Sequence, residues 1–151
     1  MIYGDPFYFA LHFDVVPYWN DEEGFWQNGL FYFYIDGKRV FELVDIFELK
    51  TIFSFYKNID ISQLSMVDEN IHYADLYKNA ENYFTGDSEK LIDGLFDLTC
   101  TPMGDNGCYV YFCKTLENDK FIWSIDDGKT INQSLLPPRL VESVIKLLRD
   151  I

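Results

Sequence analysis

Basic residues are scarce in this chain of 151 residues. Lysine and arginine number 12 against 25 aspartates and glutamates, which gives a formal net charge of −13. From Met1 to Asp36 there are six acidic residues and no lysine or arginine. At neutral pH such a field repels nucleic acid and anionic lipid headgroups and attracts basic proteins. We therefore expect neither nucleic acid nor a membrane as a ligand.

Histidine is scarcer still, and the motifs of common catalytic sites are missing. The 2 histidines, His12 in a predicted strand and His72 at a predicted helix start, are typical of one partly buried and one surface histidine. The chain has no phosphate-cradling glycine loop, no nucleophile elbow and no zinc-binding histidine pair. The sequence predicts no catalytic residues, no metal site and no cofactor, so we expect a protein that is not an enzyme.

The 3 cysteines, Cys100, Cys108 and Cys113, are an odd number that suits a reducing compartment. A two-residue turn at 106–107 would place Cys100 opposite Cys113, whereas a four-residue loop would place it opposite Tyr111. No apolar run is long enough to span a bilayer, and a charge and a proline follow the first few residues. These features predict a cytoplasmic protein without a signal peptide.

Aromatic residues, by contrast, make up 19% of the chain and cluster in the first third. Runs rich in Phe, Tyr and Val predict strands over 7–16 and 25–35. The dipeptide Asp36-Gly37 between two β-prone runs is typical of a tight hairpin, with a return strand over 39–43.

Helical periodicity appears in three places. The spacing of apolar residues after Asp45 predicts a helix beginning at that residue, with Asp45 as N-cap. A second helix is predicted over 71–84, and the segment 59–70 between the two as a loop. The third helix follows Pro137-Pro138, where the apolar stripe is most regular.

The second half of the chain predicts a β-meander. Strands over 91–101, 108–115 and 120–125 alternate with polar turns, and three strands joined this way are antiparallel neighbours. The whole pattern predicts one α+β domain over residues 1–151, in which an antiparallel β-sheet packs with about three α-helices, one of them C-terminal. The oligomeric state is left open.

A partner-binding surface is predicted where acidic residues lie between two tryptophans. We call these five residues the amino-terminal patch: Trp19, Asp21, Glu22, Glu23 and Trp26. Tryptophans are favoured anchors in interfaces, and acids would steer a basic partner. The alternative is that the rings are core anchors and the acids a solvated loop. Asp126 and Asp127 are a second, weaker candidate, or simply an acidic turn.

The chain also resembles a known family. The segments Gly4-Asp5-Pro6, Phe9-Ala10, Phe13-Asp14, Phe25-Trp26, Asn28-Gly29-Leu30, Ile35-Asp36-Gly37 and Glu48-Leu49-Lys50 are similar to the immunity protein 42 family of bacterial polymorphic toxin systems. The likeness extends to the terminal helix. It implies a cytoplasmic antitoxin that binds and blocks a cognate polymorphic or contact-dependent toxin domain. It implies no catalytic residues, and the glycines at 4, 29 and 37, with Pro6, are expected to form turns.

Many toxin domains of such systems are nucleases, which tend to be basic, so an acidic inhibitor could occupy the phosphate-binding surface. Two rival hypotheses remain open. The acidic surface could mimic DNA and inhibit many nucleic-acid enzymes. Two carboxylates in a pocket could instead serve a hydrolase, which would require an acid of raised pKa in a concave site.

Overall fold

The computed structural model of the protein describes residues 1–19 and 28–150, and for 43–48 the backbone alone. In this part of the chain there are eight strands in two four-stranded antiparallel sheets, and four α-helices, three of them longer than one or two turns. The contacts between residues divide the chain into two compact units, residues 1–59 with 142–151 and residues 60–141. None of the described helices is long and apolar enough to cross a membrane.

The first unit is built on a four-stranded meander. Its strands are paired in chain order and span, in sequence, β1 Ile2–Asp5, β2 Phe9–Val15, β3 Asn28–Ile35 and β4 Lys38–Glu48. Alternate residues of β3 are buried, as expected for a sheet with one covered face. The hairpin at Asp36-Gly37 is confirmed, because both residues have positive φ, 53° and 76°, as a tight turn of this kind requires.

Helix α1, Leu49–Lys57, covers the inner face of this sheet. Tyr56 is fully buried and stacks on Phe31 with ring centroids 5.8 Å apart. The prediction that a helix begins at Asp45 is wrong. The ladder between β3 and β4 continues to the pair Asn28 and Glu48, and its hydrogen bonds keep the chain extended until Leu49.

The second unit contains the other meander. Its strands are β5 Phe96–Asp97, β6 Tyr109–Lys114, β7 Asp119–Ser124 and β8 Asn132–Leu136, again paired in chain order. Helix α2, Tyr73–Phe84, packs its buried residues Leu76, Tyr77 and Ala80 against β6 and β7. The predicted helix over 71–84 is confirmed, and Gly86 follows it with φ 86°.

The prediction for 91–107 is largely wrong. β5 is the only strand in this segment, and Thr101–Asp105 forms the short helix α3 with a proline in its first turn. Because a helix and not a hairpin turn precedes β6, neither predicted partner of Cys100 is correct. Tyr111 pairs with Asp97 instead, and all three cysteines are buried thiols that are not in disulfides. Strand β8 was also not predicted, since its alternating polar residues and short length resemble a loop.

The last helix, α4 Leu140–Arg149, confirms the prediction from the apolar stripe. The carboxylate of Asp119, the first residue of β7, accepts the Val141 N–H at 2.9 Å and the Arg139 N–H at 3.3 Å. In the first unit, the Arg149 guanidinium donates to the carbonyls of Lys57 and Ile59, at the end of α1. Both ends of the helix are therefore fixed by specific hydrogen bonds.

Candidate partner-binding site

Most of the amino-terminal patch lies outside the described residues, namely Asp21, Glu22, Glu23 and Trp26. Trp19 is described. It ends a 3₁₀ turn over Pro17–Trp19, is half-buried, and accepts a hydrogen bond on its carbonyl from the Asn28 side chain at 3.0 Å. The neighbouring Tyr18 is 97% exposed. An aromatic ring is therefore available to a partner at this turn, and the role of the patch stays a prediction.

Asp126 and Asp127 lie together in the turn between β7 and β8, but their carboxylates have different roles. The Asp126 carboxylate accepts hydrogen bonds from the Ser124 hydroxyl at 2.7 Å and from the Thr130 N–H at 2.8 Å. These bonds, first the one from the Thr130 backbone, lower the pKa of Asp126 to about 2. Asp126 is thus occupied in holding its own turn, and Asp127 is the residue of the pair that is free to meet a partner.

Asp127 lines a cleft of about 400 Å³ in the second unit, at the carboxyl end of α2. We call it the acidic cleft. Its lining residues are Tyr77, Glu81, Asn82, Phe84 and Thr85 of α2 and its C-cap, with Asp87, Tyr109, Tyr111 and Asp127. Three carboxylates and four aromatic rings thus face one concave surface, and no lysine or arginine is among its lining residues.

The secondary structure explains why these side chains converge. Tyr77 and Glu81 are four residues apart on α2 and therefore lie on one face of the helix. Tyr109 and Tyr111 are two apart on β6 and point to the same side of the sheet. Asp127 has φ 58°, and its N–H donates to the carbonyl of Gly107, two residues before β6, at 2.9 Å. This bond connects the turn of Asp127 to the segment that leads into β6.

The rings form a packed wall. Tyr77 meets Tyr111 edge-on with centroids 5.3 Å apart, and Phe84 stacks parallel to Tyr111 at 6.2 Å. Tyr111 is 3% exposed and Phe84 49% exposed. The wall therefore runs from the buried core of the unit to its surface, where an incoming group can reach it.

The pKa values of two tyrosines in the cleft are raised by burial and by the nearby carboxylates. Burial first, and then the Glu81 carboxylate, raise the pKa of Tyr77 to about 12. Burial also raises the pKa of Tyr109, with the carboxylates of Asp127 and Asp105 adding to it. Within the described residues no basic side chain forms an ion pair with Glu81, Asp87 or Asp127. The charge of the cleft is thus available to a partner.

The hydrolase hypothesis requires an acid of raised pKa in a concave site. Burial raises the pKa of Asp97, but its carboxylate accepts the Thr99 N–H at 2.9 Å and does not line the acidic cleft. His12 is partly buried and its lowered pKa results first from burial, while His72 is exposed and its Nδ1 accepts the Ala74 N–H. The prediction of one partly buried and one surface histidine is confirmed.

Sequence reasoning identified Asp127 but not the rest of the acidic cleft. The helix that carries Tyr77 and Phe84 was predicted, and Glu81 follows Tyr77 at helical spacing. That signal could have placed one carboxylate beside the rings. The packing of α2 on β6 supplies Tyr109 and Tyr111, and it depends on contacts between distant segments that no local pattern encodes.

The fold and the site define an α+β protein of two antiparallel meanders, with an acidic, aromatic-walled cleft on its surface. The chain belongs to the immunity protein 42 family, whose model matches residues 1–151. The resemblance inferred from the sequence is thereby confirmed. Among solved structures, the fold is similar to the one titled "Crystal structure of CdiI from Burkholderia dolosa AUO158", with TM-score 0.77 and 18% sequence identity. The match covers 98% of this chain and 97% of that one. No curated protein matches the chain.

Proposed function

We propose that this protein is a cytoplasmic, non-enzymatic antitoxin that binds one cognate toxin domain of a polymorphic or contact-dependent inhibition system. Membership of an immunity protein family supports a toxin as partner, and the likeness in fold to a CdiI is consistent with contact-dependent inhibition. The observation that carries the proposal is the acidic cleft, because unpaired carboxylates beside aromatic rings suit a protein that binds a basic surface.

A basic nuclease domain is the toxin that fits this surface. With a net charge of −13, the protein would be drawn to the positive surface with which a nuclease holds phosphates, and electrostatic steering raises association rates. A lysine or arginine of the toxin would meet Glu81, Asp87 and Asp127 and lie against a tyrosine ring. Such a cation–π contact contributes about 0.5–2 kcal/mol, depending on how far water is excluded.

The first experiment is to identify the toxin by purifying the tagged protein from its host and analysing what is bound. One basic toxin domain at near-equal stoichiometry is expected. Capture of many nucleic-acid enzymes would instead support DNA mimicry, since a mimic binds basic DNA-binding proteins in general. Capture of no protein would contradict a role in partner binding.

The role of the acidic cleft is then tested with a charge-neutral double variant, Glu81→Gln with Asp127→Asn. We expect its association with the toxin to weaken by about 10-fold or more, since losing one partner of a close interfacial charge pair costs about 2–5 kcal/mol when the pair is buried. The matched control is Glu89→Gln with Glu117→Gln, which removes the same charge from exposed positions outside the cleft. Equal effects of the two variants would show that net charge alone matters.

The amino-terminal patch is a second candidate contact surface. Reversing the charges of Asp21, Glu22 and Glu23 should slow association and weaken its dependence on salt, because these acids are predicted to steer the basic toxin. An unchanged association rate would exclude the patch from the interface.

A further inference from the structure

A second cleft in the 60–141 unit has the opposite character. It measures about 460 Å³ and lies at the amino end of α2. We call it the lysine cleft. Its lining residues are Glu69, Asn70, Ile71, His72 and Tyr73 at the start of the helix, with Thr115, Asn118, Lys120, Gln133 and Leu135 from the sheet and its turn.

Lys120 is the unusual member of this set. It is only 5% exposed, although lysine is almost never buried unless it is paired. Its ammonium forms no hydrogen bond or ion pair with another residue in the described part of the chain. The ammonium itself is not fully enclosed and faces the open space of the cleft. A lysine at the base of a cleft, without a charge partner among the described residues, suggests that the cleft receives an anion.

The other residues of the lysine cleft point to the same ligand chemistry. The amino end of a twelve-residue helix carries a partial positive charge. The first helical residue, Tyr73, has an N–H without a hydrogen bond to another described residue. At the N-cap, His72 accepts the Ala74 N–H on Nδ1 at 3.2 Å, which leaves Nε2 as the N–H donor of the neutral ring. Amides of Asn118 and Gln133 supply further donors.

The charge balance selects the kind of anion. The one ammonium of the cleft is offset in part by Glu69, whose carboxylate lies at the same cleft and accepts the Glu117 N–H at 3.1 Å. A dianionic phosphate or a polyanion would be repelled by Glu69 and by the net charge of the protein, whereas a single carboxylate needs only one cation. We infer that the lysine cleft binds a carboxylate group, with Lys120 as its charge partner and the amino end of α2 as its second source of positive potential.

The test uses the whole protein and small probes, and is independent of the toxin. Acetate is titrated against protein labelled with ¹⁵N and ¹³C, and the shifts of the Lys120 side chain and the Tyr73 amide are followed, with acetamide as the neutral probe of the same shape. We expect a saturable change with acetate and none with acetamide. Lys120→Met should weaken acetate binding at least about 10-fold, which is about 1.4 kcal/mol, whereas Lys129→Met, an exposed control, should not.

Further titrations distinguish whether the carboxylate belongs to a bound protein or to a free small molecule. A blocked aspartate, N-acetyl-aspartate amide, represents a protein side chain, and tighter binding of this probe than of acetate indicates a carboxylate presented by a bound protein. Tighter binding of acetate indicates a free small carboxylate. If Lys120→Met does not fold, the comparison of acetate with acetamide on the native protein still decides the question. Absence of a saturable shift, equal binding of acetamide, or tighter binding of inorganic phosphate than of acetate would overturn the inference.

Discussion

The bond between Asp119 and the start of α4 provides a quantitative test of the fold. Asp119 is 2% exposed, and its carboxylate accepts the N–H of Val141, a residue with no exposed surface. Asp119→Ala removes a helix cap, worth about 0.5–2 kcal/mol, and leaves a buried N–H without an acceptor, which costs about 1–3 kcal/mol. The two costs overlap, so we expect a loss of about 2–4 kcal/mol.

Urea denaturation followed by fluorescence measures this loss. Trp123, on the same strand as Asp119, is buried and donates from its indole N–H to the Ser134 hydroxyl at 3.1 Å, so its emission should change when this unit unfolds. For a chain of this length, 1 kcal/mol corresponds to about 2–4 °C in melting temperature, so a loss of about 2–4 kcal/mol gives a decrease of roughly 4–16 °C. Asp119→Asn keeps one acceptor oxygen and should fall between the native protein and Asp119→Ala.

The control is Glu117→Ala, because Glu117 is exposed and two residues away. We expect its effect to stay within about 0.5 kcal/mol, as for most surface substitutions. A loss of less than about 1 kcal/mol for Asp119→Ala would refute the reasoning, since it would mean that water or another group satisfies the Val141 N–H equally well.

Three further predictions follow. The pKa of Asp126 in the folded protein, about 2, lies below 3.8, the ordinary value of an aspartate. Its stabilising contribution is therefore present above pH 3.8 and lost as the pH falls towards 2, and Asp126→Asn should flatten that part of a stability–pH curve. Gly29→Ala should lower the free energy of unfolding by about 1–3 kcal/mol in urea titrations, since a Cβ would lie 2.0 Å from the Asp14 carbonyl oxygen. Burial raises the pKa of Cys108 to about 12 and of Cys113 to about 11, so Ellman's reagent at pH 8 should label these thiols only after unfolding. Rapid labelling of the native protein would contradict their burial.

The sequence predicted best those elements whose own residues determine them. The hairpin at Asp36-Gly37 needs two residues with positive φ, and α4 has an apolar stripe long enough to define a helix alone. Residues 45–48 were wrongly predicted as helical because the interactions that keep them extended come from residues far away in the sequence. Phe47 and Glu48 remain in a strand since they pair with Gly29 and Asn28, and local periodicity contains no information about that pairing.

The candidate site was predictable only in part, for the same reason. Asp127 was recognisable as an acid in an exposed turn, and the net charge indicated a basic partner. The aromatic wall beside it required knowledge of which helix covers β6. Lys120 gave no signal at all, because a lysine in a β-prone run is ordinary in sequence and becomes unusual only when the fold buries it.

Helix α2 has one of the two clefts at each of its ends. Its carboxyl end, with partial negative charge, lies at the acidic cleft, and its amino end, with partial positive charge, lies at the lysine cleft. The helix dipole therefore favours a cation in the acidic cleft and an anion in the lysine cleft. Glu81 and Asp127 lie at the exposed surface and are screened by salt, whereas Lys120 lies at the base of a cleft, where salt screens it less. The acidic cleft is thus suited to steering an approaching partner, and the lysine cleft to discriminating between groups that have already arrived.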